Sequence, residues 1–169
     1  MMSSTSHENL KDSVSSNGDT ISLFDAEMDA ATYENLPTFM PEIKTAKIVR
    51  VYDGDTVTIA TRIQIDGKEI PKIFRFSLRL RGIDSPELKT KNQTEKALAI
   101  QSRDALSNLI LGKIMTIENV DYDKYGRILA DMITPDGVNV SQWMIDNGLA
   151  VKYDGGTKHR PNEWTTVEL

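Results

Sequence analysis

Arg79, Asp84 and Glu87 stand close together in the run Arg79-Leu80-Arg81-Gly82-Ile83-Asp84-Ser85-Pro86-Glu87. An arginine holds phosphate through its planar fork of donors, and carboxylates hold hard divalent cations. The run therefore carries an inventory for cutting a phosphodiester. Arginine–acid pairs at strand ends are also ordinary surface ion pairs of small worth, and the run alone does not separate the two readings. Two other loops carry polar groups that no structural role requires: Asp53-Gly54-Asp55-Thr56 and Lys124-Tyr125-Gly126-Arg127. In an antiparallel barrel, loops far apart in sequence can meet at one rim, so a composite site is geometrically reasonable.

The elements that must position these loops are legible as periodicities. Ile48, Val49 and Val51 predict a first strand. Val57 to Ile65 predicts a second, with Val57, Ile59, Ile63 and Ile65 on one parity and Asp66-Gly67 as a hairpin turn. The third runs into the arginine stretch. Phe74, Phe76, Leu78 and Leu80 share one face, and Arg75, Ser77, Arg79 and Arg81 share the other, before Gly82 bends the chain and Pro86 ends the ladder. Asn92 to Leu111 predicts a helix with Thr94 as N-cap, a stripe of Leu98, Ala105, Leu106, Leu109 and Ile110, and a stop at Gly112. Ile114 to Val120 and Ile128 to Thr134 predict a strand pair. Val138 to Asn147 predicts a short helix, and Leu149 to Tyr153 a last extended piece. The expected class is α+β and mainly β: a five-stranded oligonucleotide-binding barrel with a helix after strand three and a short C-terminal helix. A compact open sheet covered by the long helix has the same element order.

Composition narrows the chemistry. The chain has 169 residues, no cysteine, and only His7 and His159 as histidines, which disfavours thiolate sites, a histidine-rich zinc site and a Ser-His-Asp triad. The net charge of −5 is uneven: residues 1–43 hold eight acids and one base, a net of −7, and residues 44–169 hold nineteen bases and seventeen acids, a net of +2. Expected domains are an acidic, disordered leader over 1–43 with a short helix available within Ile21–Tyr33, a folded domain over 44–153, and a polar C-terminal stub over 154–169. No apolar run suits a membrane span and no signal peptide is seen, so the expected location is cytoplasmic.

Four motifs then occur in order: Asp-Gly-Asp-Thr-Val, an arginine followed five residues later by Asp-Ser-Pro-Glu, Asp-Lys-Tyr-Gly-Arg, and a Val-Asn-Val helix ending Asn-Gly-Leu-Ala. From about Ala46 to about Tyr153 the chain resembles the staphylococcal nuclease (thermonuclease) family. The resemblance implies the same barrel and a calcium-dependent endonuclease acting on DNA and RNA. It also implies a preference for single strands, little sequence specificity, no membrane partner and a monomeric state. Asp55 and Asp84 match the calcium-binding carboxylates. Ser85, where threonine is usual, matches a position giving its backbone carbonyl to the metal. Glu87 matches the general base, and Arg79 and Arg127 match the arginines that grip the scissile phosphate. Lys124 and Tyr125 match contacts to a neighbouring phosphate, and Asp53 an aspartate near the metal but outside its ligand set. Arg81 stands where an apolar residue is typical; it adds a substrate contact or pairs with an acid. The aromatic groups that stack on a base in secreted members have no clear match, with Tyr153 as a candidate. A non-cleaving binding module on the same barrel is the alternative, marked in the family by loss of the catalytic set, and none of that set is missing. The acidic leader is expected to compete for the basic rim at low salt.

Overall fold

The computed structural model describes residues 23–156 and 161–164. They belong to two compact units, divided between Phe39 and Met40. In the first, helix α1 spans Leu23–Asp29, inside the stretch with helical spacing. Of the disordered leader expected over 1–43, residues 1–22 lie outside the described residues.

The second unit contains β1 (Thr45–Val51), β2 (Thr56–Thr61), β3 (Gln64–Ile65), β4 (Lys68–Glu69), β5 (Phe74–Leu80), β6 (Ile83–Asp84), α2 (Gln93–Ile110), β7 (Ile114–Tyr122), β8 (Ile128–Ile133), α3 (Val140–Asp146) and β9 (Val151–Lys152). A 3₁₀ turn over Asn162–Trp164 follows. Strands β1, β2, β5, β8 and β7 close into a barrel in that order. Each neighbouring pair is antiparallel except β5 and β8, which run parallel. The expected five-stranded barrel, with a helix after its third strand and a short helix near its end, is the observed architecture. Alternation builds it: Val57 and Ile59 of β2, Leu78 and Leu80 of β5, and Ile128, Ala130 and Met132 of β8 all point into one core.

Several local expectations are corrected. β2 ends at Thr61, whose Oγ1 donates to the carbonyls of Thr45 and Arg62. The chain then leaves the barrel in the small β3–β4 hairpin, where Asp66 and Gly67 take the positive φ of a two-residue turn. Ile63 stays buried, but Ile65 is 42% exposed rather than inward with Val57. Helix α2 is capped by Asn92, not Thr94: Asn92 is extended, its Oδ1 accepts from Glu95 N–H at 3.0 Å, and asparagine is the stronger cap. Its fully buried line is Glu95, Ala99, Ser102, Leu106 and Ile110; Ala105 and Leu109 flank it. In β7 a bulge at Asn119 (φ 52°) moves the inward set from Met115 and Ile117 to Val120 and Tyr122.

At the margins, Ile43 belongs to the core, and Glu42 bridges Gln64. Trp164, within the stretch read as a polar stub, is buried. β9 pairs with β6 and brings Tyr153 back to Gly82, whose carbonyl accepts from Tyr153 N–H at 2.9 Å.

Candidate active site

The site is assembled from three bends. The first follows β1. Asp53 Oδ1 accepts the N–H groups of Asp55 (3.1 Å) and Thr56 (2.8 Å), fixing the turn that aims Asp55. Gly54 lies so close to the segment after β6 that a Cβ there would sit 2.7 Å from Ser85 Cβ and 2.9 Å from Ser102 Cβ. Only glycine lets the first and second bends touch. Their contact brings Ser85 N–H to Asp55 Oδ2 at 3.3 Å.

Arg79 joins the two carboxylates. Its Nη2 donates to Asp55 Oδ2 at 3.0 Å and to Asp84 Oδ1 at 2.9 Å, and its Nη1 donates to the carbonyls of Ile83 (2.9 Å) and Leu80 (3.4 Å). All three side chains are buried, with 7–8% exposure. Arg79 belongs by register to the outward row of β5, opposite Thr56, and the two bends fold over it. Burial pushes the Asp55 carboxyl up, outweighing the pull of Arg79; Asp53 adds to the rise, and the bonds from Thr56 and Ser85 oppose it.

The third bend joins β7 to β8. Asp123 Oδ1 accepts from Tyr125 N–H (2.8 Å) and Arg127 N–H (2.9 Å), and its Oδ2 accepts from Arg127 Nε at 2.7 Å. Gly126 supplies the positive φ of 77° that the turn requires. The guanidinium lies 5.6 Å from the Tyr125 ring centroid, and Lys124 Nζ lies 5.2 Å from the same ring. Arg127 Nη1 reaches Thr56 Oγ1 at 3.4 Å, and Thr56 Oγ1 donates to Asp55 Oδ1 at 2.8 Å. One threonine thus links the third bend to the first.

These bends surround a cleft of about 990 Å³ whose lining includes Asp55, Arg79, Arg81, Ser85, Glu87, Lys124, Tyr125 and Arg127. Asp84 lines an adjacent hollow of about 640 Å³ and meets the others through Arg79. Glu87 stands in the cleft wall, its backbone N–H donating to the buried Glu95 Oε1 at 3.4 Å, so the first turn of α2 steadies it. Arg81 is anchored to β7 and β8: its Nη2 donates to the carbonyls of Asn119 (2.7 Å) and Leu129 (3.3 Å), with Asp121 at 3.9 Å. The Tyr153 ring lies 5.4 Å from the Arg79 guanidinium, and its hydroxyl donates to Gly156 O.

The donors suit a hard cation. Two carboxylates share one arginine, which leaves a negative charge over, and Asp53 adds another nearby. Among the described residues no three His, Cys, Asp or Glu side chains gather to hold a metal, so a cation held by these two carboxylates would need water, a backbone carbonyl or the substrate to complete its shell. Thr56 and Asp123 stand inside the sequence motifs but have no role assigned there, and sequence reasoning did not single out Tyr52 or Lys89; all four line or brace the cleft. Asp123 had a signal: an acid four residues before an arginine with a glycine between them marks a side-chain-closed turn.

A closed barrel thus brings two arginines and two carboxylates to one rim, a charge pattern suited to a phosphate beside a hard cation. The chain belongs to the staphylococcal nuclease homologue family, whose model matches residues 77–167. It is 35% identical over 108 residues to an uncharacterized endonuclease of Escherichia coli, covering 64% of this chain and 60% of that protein. It is 33% identical over 79 residues to a probable staphylococcal-like nuclease of Oryza sativa subsp. japonica, covering 47% and 22%. A succinoglycan biosynthesis protein of Rhizobium meliloti (strain 1021) is 31% identical over 109 residues, covering 64% and 52%. The chain thus spans less than two thirds of the length of these relatives. Among the described residues no helix is long and apolar enough to cross a membrane.

Proposed function

We propose that this chain is a calcium-dependent endonuclease that hydrolyses phosphodiester bonds of DNA and RNA with little sequence specificity, preferring single strands. One observation carries the reading: Arg79 Nη2 lies within 3.0 Å of both Asp55 and Asp84, beneath a cleft that Arg127 enters from the opposite bend. Asp55, Asp84 and the Ser85 carbonyl would hold calcium, which when bound supplies Lewis-acid polarisation of a phosphoryl oxygen. Glu87 accepts the proton of the attacking water. Arg79 exchanges its carboxylate partners for phosphoryl oxygens, and Arg127 approaches the same group from Thr56. Their planar forks meet the negative charge that builds as the water adds and the leaving oxygen departs. Lys124 and Tyr125 hold a neighbouring phosphate at the exposed lip. Arg81, tied to β7 and β8, sets that side of the cleft. The protein works as a monomer in the cytoplasm on this reading.

The test is digestion of single-stranded DNA with calcium and then with chelator, beside Glu87→Gln. The expected loss in Glu87→Gln is on the order of 10²–10⁴ in rate. Cleavage that survives chelator, or an unaffected Glu87→Gln, removes this mechanism. Tight oligonucleotide binding without cleavage leaves a binding module.

A further inference from the structure

Arg79 is the last residue of an outward-facing row that continues away from the cleft. Register places Thr56 opposite Arg79, Thr58 opposite Ser77 and Ala60 opposite Arg75; on the other side of β2, Arg50 stands opposite Thr58 and Lys47 opposite Ala60. The outer face of β1–β2–β5 is therefore a shallow channel. Its floor is the small residues Thr58, Ala60 and Ser77, and its walls are Lys47 and Arg50 on one side and Arg75 on the other. All three cations are exposed, and none joins an ion pair among the described residues. Arg50 instead lies 5.8 Å from the ring of Tyr52, which lines the cleft. The β1 bulge between Ile48 and Arg50 turns Arg50 onto this face.

We propose that this face is a binding track for the flanking single strand of a nucleic-acid substrate, with Lys47 and Arg75 flanking one phosphate at the level of Ala60, Arg50 on the next at the level of Thr58, and Tyr52 as the aromatic step into the cleft. Two strand spacings separate the walls by roughly 10 Å, and Thr56 to Ala60 runs roughly 13 Å along β2. That gauge admits one extended backbone; a duplex is too wide to lie between the walls. Unpaired cations beside an exposed ring, continuous with a phosphate-directed cleft, are the elements of a single-strand platform.

The cleavage readout rests on the nuclease reading above; the binding readout does not. The variant combines Lys47→Gln, Arg50→Gln and Arg75→Gln in the full chain. It is compared with the parent on a dinucleotide, confined to the cleft, and on single-stranded DNA of about 12 nucleotides, within the span one such barrel covers. Binding of the longer strand is measured in chelator so that it stays intact. The variant should cleave the dinucleotide as the parent does, with KM for the longer strand raised about tenfold at low salt and kcat unchanged. The log–log salt slope of binding should flatten by about 1.4, at about 0.7 for each of the two phosphates. A charge-keeping variant, Lys47→Arg with Arg50→Lys and Arg75→Lys, should keep the parent's slope. Parental KM and slope in the glutamine variant overturn the track, as does equal loss in the charge-keeping one. If the parent binds but does not cut and the glutamine variant still binds more weakly, the track stands and the nuclease reading falls. A parent that does neither overturns both.

Discussion

The two arginines of the cleft are held in opposite ways. Arg79 is a barrel residue, buried, with both terminal nitrogens occupied by two carboxylates and two carbonyls. Arg127 is a loop residue, 29% exposed, held by one acid in its own turn and by a long contact to Thr56. The first sits where charge is costly to leave uncompensated, so fold and site share it. The second sits where water can solvate it, so the fold depends on it little. A composite site can thus have one arm set by the core and another set only by a turn.

The comparison breaks most visibly at Arg79. Arg79→Ala leaves Asp55 and Asp84 buried without their counter-charge, and the expected loss is about 3–5 kcal/mol of stability. Activity should fall with it. If the carboxylates hold calcium, the ion should raise the melting temperature of Arg79→Ala more than that of the parent, because it replaces the missing charge. Thermal melts with and without calcium measure this. Equal calcium shifts in both proteins would mean that the pair does not hold the ion.

Arg127→Ala should separate the two properties. Stability should change by less than about 1 kcal/mol, while cleavage falls on the order of 10²–10³, as for a lost transition-state donor. Arg127→Lys should not restore the rate, since an ammonium cannot bond Asp123 and a phosphoryl oxygen at once with a planar fork. Full activity in the lysine variant would reduce Arg127 to a point charge.

What the sequence made legible follows the same division. The barrel strands were readable because Val57, Ile59, Leu78 and Leu80 alternate with residues facing outward. The site loops were readable as motifs, but their bracing was not. Nothing local in Thr56 says that it will bridge Asp55 to Arg127, which is 71 residues away. Gly54 reads as a turn glycine; its tight contact with Ser85 exists only after folding. Arg79 looked like one of three cations on an exposed face, and its burial depends on two loops closing over one end of that face. The β7 bulge was not legible because Ile114 to Val120 reads as one regular strand, whereas Asn119 at positive φ breaks the period of two between Ile117 and Val120.

The smallest expected effect is the response to acid, and its sign differs between the two arms. In the turn, burial alone would push the Asp123 carboxyl up. The Arg127 N–H, the Arg127 side chain, the Tyr125 N–H and the Arg127 charge together hold it below 3.8. A carboxyl with a depressed folded pKa stabilises the fold above its unfolded value and loses that contribution as pH falls through the folded one. Asp123→Asn should therefore be slightly less stable than the parent at neutral pH, by no more than about 1 kcal/mol, and the gap should close as the pH drops below 3.8. Asp55 is shifted the other way. Its contribution is present below the unfolded value and is lost as pH rises through the raised one, so Asp55→Asn should remove a slope of opposite sign. Denaturant melts of both variants across acidic pH, without calcium, compare the slopes. Slopes of the same sign would mean that core and turn hold their acids alike, and the contrast between the arms would fail.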